Sequence, residues 1–468
     1  MRRVQDLRPT LLLVGRGEVM EAALRVALDR HGMSVESAMT SSVVEAATAA
    51  APDLVILMGD AVVEGGAGVL RHLAENPTTS VVPVALLSDD ASLDQRLRAF
   101  RSGAVAVIQR RASADAIARE IAQLACELPE RPGQSTGMLG EATLEELVEL
   151  VSRELRSGIL SVEPQSARDA SNPVRVVLGA GGPVAEVLRD FVARLRPLIA
   201  KAEPLRYELL EESGGRLRLA GADDAETGDL AVLRDLRVLV MDNDPGRADV
   251  LAQTLRGHGS LVGVSDISPG TLVRAQALDP EVVILDSAAI EGPGFETVRT
   301  LRQDPRLRWA SLLVVPWDEL WPVHSAAPDI EQLAGRIAPL TEQDRTLRAR
   351  AEVGGTFDTR LELTGPARLL RTLVRLPGTR HIAVRATRAT IEIDIADGLV
   401  VGAQGTSLVG SPRPVEGMAA LAGLLNLSGG RVRIEGRGHP SVANVMLPVD
   451  EALARAARED SPVKPSVI

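Results

Sequence analysis

Two short apolar runs in the second half of the chain each stop at a carboxylate. Arg237-Val238-Leu239-Val240-Met241 runs into Asp242-Asn243-Asp244-Pro245, and Val282-Val283-Ile284-Leu285 runs into Asp286. The second run is bounded by Pro280 and by Gly292-Pro293-Gly294. Unbroken runs of this length suit strands buried on both faces of a parallel sheet. Open α/β sheets place their ligand sites at the carboxyl edge of such strands. Two strands ending in carboxylates at one edge therefore outline a magnesium and phosphoryl site, because magnesium takes one or two carboxylates plus waters. The candidate ligands are Asp242, Asn243, Asp286 and the carbonyl of Ala288, with Asn243 supplying oxygen but no charge. The competing reading is a carboxylate left exposed at a sheet edge.

Residues 235–300 resemble a receiver domain of two-component signalling, which has the CheY-like flavodoxin fold. Asp286 falls on the family's phosphoacceptor, Asp242 and Asn243 on its acidic pair, and Gly294-Phe295-Glu296 on the Gly-Phe-Glu that follows. The resemblance implies phosphorylation of Asp286 by a histidine kinase, with magnesium beside it. The likeness then fades. The family's switch hydroxyl falls on or near Pro316, and no lysine lies between Asp286 and Leu340. Residues 317–340 are too few for a helix, a strand and a second helix. An acyl phosphate lacking those partners would be poorly read out. Trp309, Trp317 and Trp321 are all the tryptophan in the chain. Either they fill the gap left by the missing helix, or they form an exposed anchor for a partner, since Trp is enriched in binding hot spots.

Composition narrows the function classes. A chain of 468 residues exceeds one ordinary core, so three or four domains are expected. Aromatic residues are 2% and the net charge is −11, which disfavours base-stacking platforms and general phosphate-backbone binding. One cysteine, Cys126, excludes an intramolecular disulfide, and the six histidines show no metal-ligand spacing. No apolar run approaches a bilayer span, and the N-terminus lacks an apolar signal core, so a cytoplasmic protein is expected without membrane insertion.

The chain repeats itself. Ala51-Pro52-Asp53-Leu54-Val55-Ile56-Leu57 matches Asp279-Pro280-Glu281-Val282-Val283-Ile284-Leu285, and Leu28-Asp29-Arg30-His31-Gly32 matches Leu255-Arg256-Gly257-His258-Gly259. The first copy predicts strands at 10–14, 51–57, 81–88 and 103–108, and helices at 19–30, 94–101 and 114–127. Its phosphoacceptor position is Met58, and Gly15 and Arg16 replace the acidic pair. A thioether accepts no phosphoryl group and a guanidinium repels magnesium, so Ser88 and Arg110, at the switch and lysine positions, have nothing to report.

Each copy leads into a second kind of block. In the first, apolar positions Leu144, Leu147, Val148, Leu150 and Val151 predict a helix, then Gly158–Val162 and Val174–Leu178 predict paired strands before a Gly181-Gly182 turn. In the second, a helix is predicted at 366–376, strands at 381–384, 390–395 and 399–403, a helix at 415–427, and a closing strand at 431–434. These blocks resemble PATAN-type domains in their pattern of helix, strand pair, Asp-Gly turn, strand, helix and Gly-Gly strand. The resulting expectation is an α/β chain with two doubly wound flavodoxin-like receiver domains, each followed by a small α+β PATAN-type domain. The bounds are 1–128 and 135–212, a linker over 213–234, a truncated receiver over 235–345, the second PATAN-type domain over 354–458, and a disordered tail over 459–468.

No nucleophile with a neighbouring base, no His-rich metal motif and no phosphate loop is present, so no enzyme is expected. The reading is a bacterial response-regulator-like signalling adaptor acting by protein–protein contact, with phosphorylation at Asp286. By resemblance its partners are a histidine kinase or motility and polarity proteins, and a homodimer is compatible. Two rivals are a phosphorylation-independent scaffold and a second-messenger or nucleotide sensor. The sensor needs Arg368, Arg371, Arg375, Arg380, Arg385 and Arg388 to converge. A DNA-binding regulator has no helix-turn-helix to support it.

Overall fold

The computed structural model describes residues 8–15, 18–89, 99, 102–110, 113–127, 134–139, 158–164, 173–178, 184–199, 205–211, 217–219, 229–268, 270–290, 292–321, 325–408 and 412–459. The predicted helix at 144–151, the Gly181-Gly182 turn, Arg16 and the tail from 460 lie outside them, as does the predicted helix at 94–101 apart from Ala99.

The first parallel sheet is built from β1 (Thr10–Val14), β2 (Ser34–Ala38), β3 (Leu54–Leu57), β4 (Val84–Ser88) and β5 (Ala106–Gln109). Its order is β2-β1-β3-β4-β5, the flavodoxin-like doubly wound order. Helices α1 (Glu18–Arg30), α2 (Val43–Ala50), α3 (Ala67–Glu75) and α4 (Ala114–Glu127) connect or follow the strands. β1, β3 and β4 are buried throughout, as their apolar runs require, whereas polar β2 lies at the edge.

A four-stranded antiparallel sheet follows, with β6 (Gln134–Leu139), β7 (Gly158–Pro164), β8 (Val174–Leu178) and β9 (Leu205–Glu211) in the order β6-β9-β7-β8. The block pattern predicts a strand after Gly182. The chain instead forms α5 (Val184–Ile199). Val184, Val187, Leu188, Phe191, Val192 and Leu195 recur at helical spacing, and that period prevails.

The second parallel sheet contains β10 (Leu217–Leu219), β11 (Arg237–Met241), β12 (Leu261–Ser265), β13 (Val282–Asp286) and β14 (Ser311–Val315). Helices α6 (Pro245–Gly257), α7 (Thr271–Leu278), α8 (Ser287–Ile290), α9 (Gly294–Gln303) and α10 (Trp317–Leu320) pack around it, with residues 333–340 of α11 (Ile330–Val353). Read from the other edge, the order is β12-β11-β13-β14-β10, so four positions repeat the order of the first sheet. The fifth is taken by a strand from upstream. β10 pairs in parallel with β14, Leu217 opposite Leu312 and Leu219 opposite Val314. The expected linker over 213–234 is corrected here: it contains this strand and a 3-10 turn at Leu230–Leu233, which Asp229 caps through Ala231 N at 2.9 Å. Every residue of β14 is buried, and a bare edge on such a strand would leave peptide groups unpaired.

The last sheet is antiparallel, with β15 (Thr356–Arg360), β16 (Thr379–Arg385), β17 (Ala389–Ala396), β18 (Leu399–Ser407), β19 (Arg413–Glu416) and β20 (Arg431–Arg437) in the order β15-β20-β16-β17-β18-β19. β21 (Leu447–Pro448) joins β18, and α12 (Gly365–Val374), α13 (Gly417–Leu425) and α14 (Val449–Ala456) pack with the sheet. Asp397 and Gly398 both have positive φ, at 49° and 84°, which forms the two-residue turn between β17 and β18. Among the described residues, no helix is long and apolar enough to cross a membrane.

These sheets group into two compact units that do not follow the sequence halves. One comprises residues 1–131, 152–155 and 343–468, and the other 132–151 and 156–342. Within the first unit, Asp53 at the start of β3 accepts from buried Arg360 at 2.7 Å and pairs with Arg385 at 3.6 Å. Arg360 also reaches Pro52 O at 3.1 Å and Glu362 at 2.5 Å. Within the second unit, Arg299 of α9 pairs with Glu208 of β9 at 2.5 Å. Arg175 of β8 donates to Ile290 O at 3.0 Å and Gly292 O at 3.2 Å, and both arginines stack on Phe295.

Candidate functional site

The paired strands β11 and β13 bring Asp242 and Asp286 to one sheet edge. Asp286 is the last residue of β13, opposite Val315 of β14. Asp242 directly follows β11, and its amide donates to Ser265 O of β12 at 3.1 Å. Asp244 then caps α6 by accepting from Gly246 N at 3.0 Å and Arg247 N at 3.3 Å, and Pro245 opens the helix.

This first turn delivers Arg247 onto Asp242. Arg247 Nε donates to Asp242 Oδ2 at 2.7 Å and Nη2 to Oδ1 at 3.0 Å, a two-pronged carboxylate clamp. Asp242 Oδ1 also accepts from Asp244 N at 3.0 Å. The hydrogen bonds to Asp242 raise the Arg247 guanidinium above its ordinary pKa against a smaller cost of burial. The charges of Asp242, Asp286 and Asp244 add to the rise. The guanidinium also lies over the Trp317 ring, 5.7 Å from its centroid. A single fixed cation therefore serves three carboxylates and one indole.

The other expected ligands point to different tasks. Asn243 is exposed, and its Oδ1 accepts from Ile267 N at 3.0 Å. Asp286 Oδ1 accepts from Ala288 N at 3.1 Å, and Ala288 belongs to the short helix α8. Magnesium demands near-octahedral oxygens at about 2.0–2.1 Å. With Asp242 held on both oxygens by Arg247 and Asp244, and with Asn243 turned to the Ile267 loop, the residues present do not fit that ion. Among the described residues, no group of three or more His, Cys, Asp or Glu is placed to hold a metal.

The tryptophans do not form one exposed anchor, which corrects that expectation. Trp309 is 2% exposed at the end of a 3-10 turn, under Arg308. Trp317 is 3% exposed and packs in the core with Val238, Val315 and Leu333. Trp321 is partly buried and meets Trp317 edge-to-face at 5.6 Å. Pro316, at the expected switch position, is the extended residue before α10.

In the first sheet, Met58 is buried after β3 and belongs to the core with Leu13 and Ile56. Gly15 has φ 109° and donates to Ala38 O at 3.3 Å. Ser88 is buried at the end of β4, and Arg110 pairs with Asp89 at 3.3 Å. Four of the arginines required by a sensor are engaged by different partners and not gathered on one site, a further correction. Arg368 binds Asp344, Arg371 binds Asp450 at 2.8 Å, and Arg380 binds Leu376 O at 3.1 Å and Pro377 O at 2.9 Å. Arg375 is exposed and Arg385 pairs with Asp53.

Sequence reasoning missed Arg247. Its signal is a cation in the first turn of a helix, where the dipole favours anions, five residues after a strand-end carboxylate.

No protein-family model matches the chain, and no curated protein matches it. Solved structures that do match are receiver domains. A response regulator from Thermotoga maritima is 23% identical, covering 25% of this chain and 98% of its own, with a TM-score of 0.23. A response regulator from Desulfuromonas acetoxidans is 22% identical over 26% of this chain and 98% of its own, with a TM-score of 0.24. The chemotaxis response regulator CheY4 of Vibrio cholerae is 16% identical over 25% and 98%, with a TM-score of 0.23.

Proposed function

We propose that this chain is a non-catalytic signalling adaptor whose second parallel sheet is a receiver locked independently of phosphorylation. The observation that carries the reading is Arg247, clamped on Asp242 at 2.7 and 3.0 Å and stacked on Trp317. A guanidinium in that place supplies permanently one of the two positive charges that magnesium would bring. Met58 removes the acceptor from the first sheet altogether. Both parallel sheets then serve as rigid platforms, and output passes through contacts with other signalling proteins.

An internal duplication accompanies this reading. The orders β2-β1-β3-β4 and β12-β11-β13-β14 correspond, as do β6-β9-β7-β8 and β15-β20-β16-β17. Under this reading the first pair repeats one receiver-like unit and the second one PATAN-type unit, which carries β18 and β19 in one copy only.

Intact-mass analysis after incubation with acetyl phosphate and magnesium tests the proposal. Wild type and Asp286→Asn should be indistinguishable, with no phosphoryl adduct on either. A phosphoryl mass on wild type that Asp286→Asn abolishes would instead favour a live phosphoacceptor.

A further inference from the structure

A cleft of about 500 Å³ lies in the first unit, where the amino ends of β1 and β2 meet β16 and β20. That volume falls within the range of about 300–1,000 Å³ usual for small-molecule sites. Its charge is lopsided: Arg8, Arg25, Arg385 and Arg431 line it against one carboxylate, Asp29. In a chain of net charge −11, four guanidiniums facing one cleft run against the average surface. The carboxylates that balance Arg385 and Arg431 are Asp53 and Asp358, whose side chains are only 13% and 8% exposed. Neither lines the cleft.

Arg8, Arg25 and Arg431 are held in place yet keep donors. Arg8 binds Asp29 at 2.7 Å, and Arg25 binds Val35 O at 2.9 Å and Ser37 Oγ at 2.5 Å and pairs with Glu21 at 3.6 Å. Arg431 binds Thr10 Oγ1 at 2.9 Å and Asp358. A guanidinium has five N–H donors, more than any of these three spends on those bonds. Val26, Met33 and Val35 give the same cleft an apolar wall, and Val26 is left 54% exposed.

We propose that this cleft binds a small organic phosphate, with two or more phosphate charges on an apolar or planar body, as in the nucleotide class. Preset guanidiniums match phosphate oxygens in pairs, and the aliphatic wall takes the body. The Arg247 site has no part in this cleft, so the two proposals fail separately.

The test uses the full chain, with thermal-shift and calorimetric titrations of ATP, a cyclic dinucleotide and inorganic pyrophosphate. At least one of the two organic probes should raise the melting temperature and bind saturably, and more tightly than pyrophosphate. The Arg8→Gln/Arg25→Gln double variant should lose affinity by about tenfold or more while its ligand-free melting temperature stays unchanged, because both side chains are half exposed. If the double variant unfolds, Arg8→Gln alone, which gives up only the surface pair with Asp29, should still weaken binding. Absence of binding by both organic probes at millimolar concentration overturns the proposal. So does affinity that the variants leave unchanged, or pyrophosphate binding as tightly as the organic probes.

Discussion

Arg247 and Asp358 show how single side chains set what each unit can do. Arg247 clamps Asp242 at a carboxylate edge that the strand ends alone present as a metal site. Strand ends at Asp242 and Asp286 were legible because apolar runs stop there. The clamp was not, since nothing in spacing says whether a nearby arginine turns inward or out to water. Asp358 lies beneath Arg431 and Arg433. Burial raises its carboxyl pKa, but hydrogen bonds from Arg433 and Arg431 outweigh this and hold it below the ordinary value. A carboxylate depressed in the folded state adds stability above its unfolded pKa, about 4, and loses it as the pH falls through the folded value. The melting temperature of wild type should therefore fall more steeply below pH 4 than that of Asp358→Asn. Parallel curves would remove Asp358 from the acid response.

At the scale of elements, strands with buried apolar runs and helices with clear periods were readable: β1, β3, β13 and α4 lie where their residues put them. β10 was hidden because three residues, Leu217-Arg218-Leu219, are too few for a period to register. Replacing Leu217–Leu219 by Gly-Ser-Gly strips the β14 edge of its partner. Light scattering on warming should show aggregation at lower temperature than in wild type. Gly294 is a second element-scale constraint. A Cβ there would stand 2.6 Å from Ala289 O, so α9 can approach α8 only with glycine at its start. Gly294→Ala should cost about 1–3 kcal/mol in urea unfolding. A loss within experimental error would show that the loop yields freely.

At the scale of the whole molecule, the grouping of residues 1–131 with 343–468 has no sequence signal. Adjacent blocks in the chain are the natural expectation, and the ion pairs within this unit, such as Asp53 with Arg360, join residues remote in sequence. Asp53→Ala takes one of two carboxylates from buried Arg360 and one partner from Arg385. Breaking a buried pair from one side costs about 3–5 kcal/mol, so calorimetry should show a lowered melting temperature. An unchanged melting temperature would mean that the grouping rests on apolar contact alone.

The central claim is that a side chain has taken the place of a metal at the Asp242–Asp286 edge. Magnesium titration followed by tryptophan fluorescence tests it directly, because Trp317 lies against Arg247. Wild type should give a flat response to millimolar magnesium, whereas Arg247→Ala should give a saturable one that Asp286→Asn removes. A saturable, Asp286-dependent response in the wild type would contradict the account.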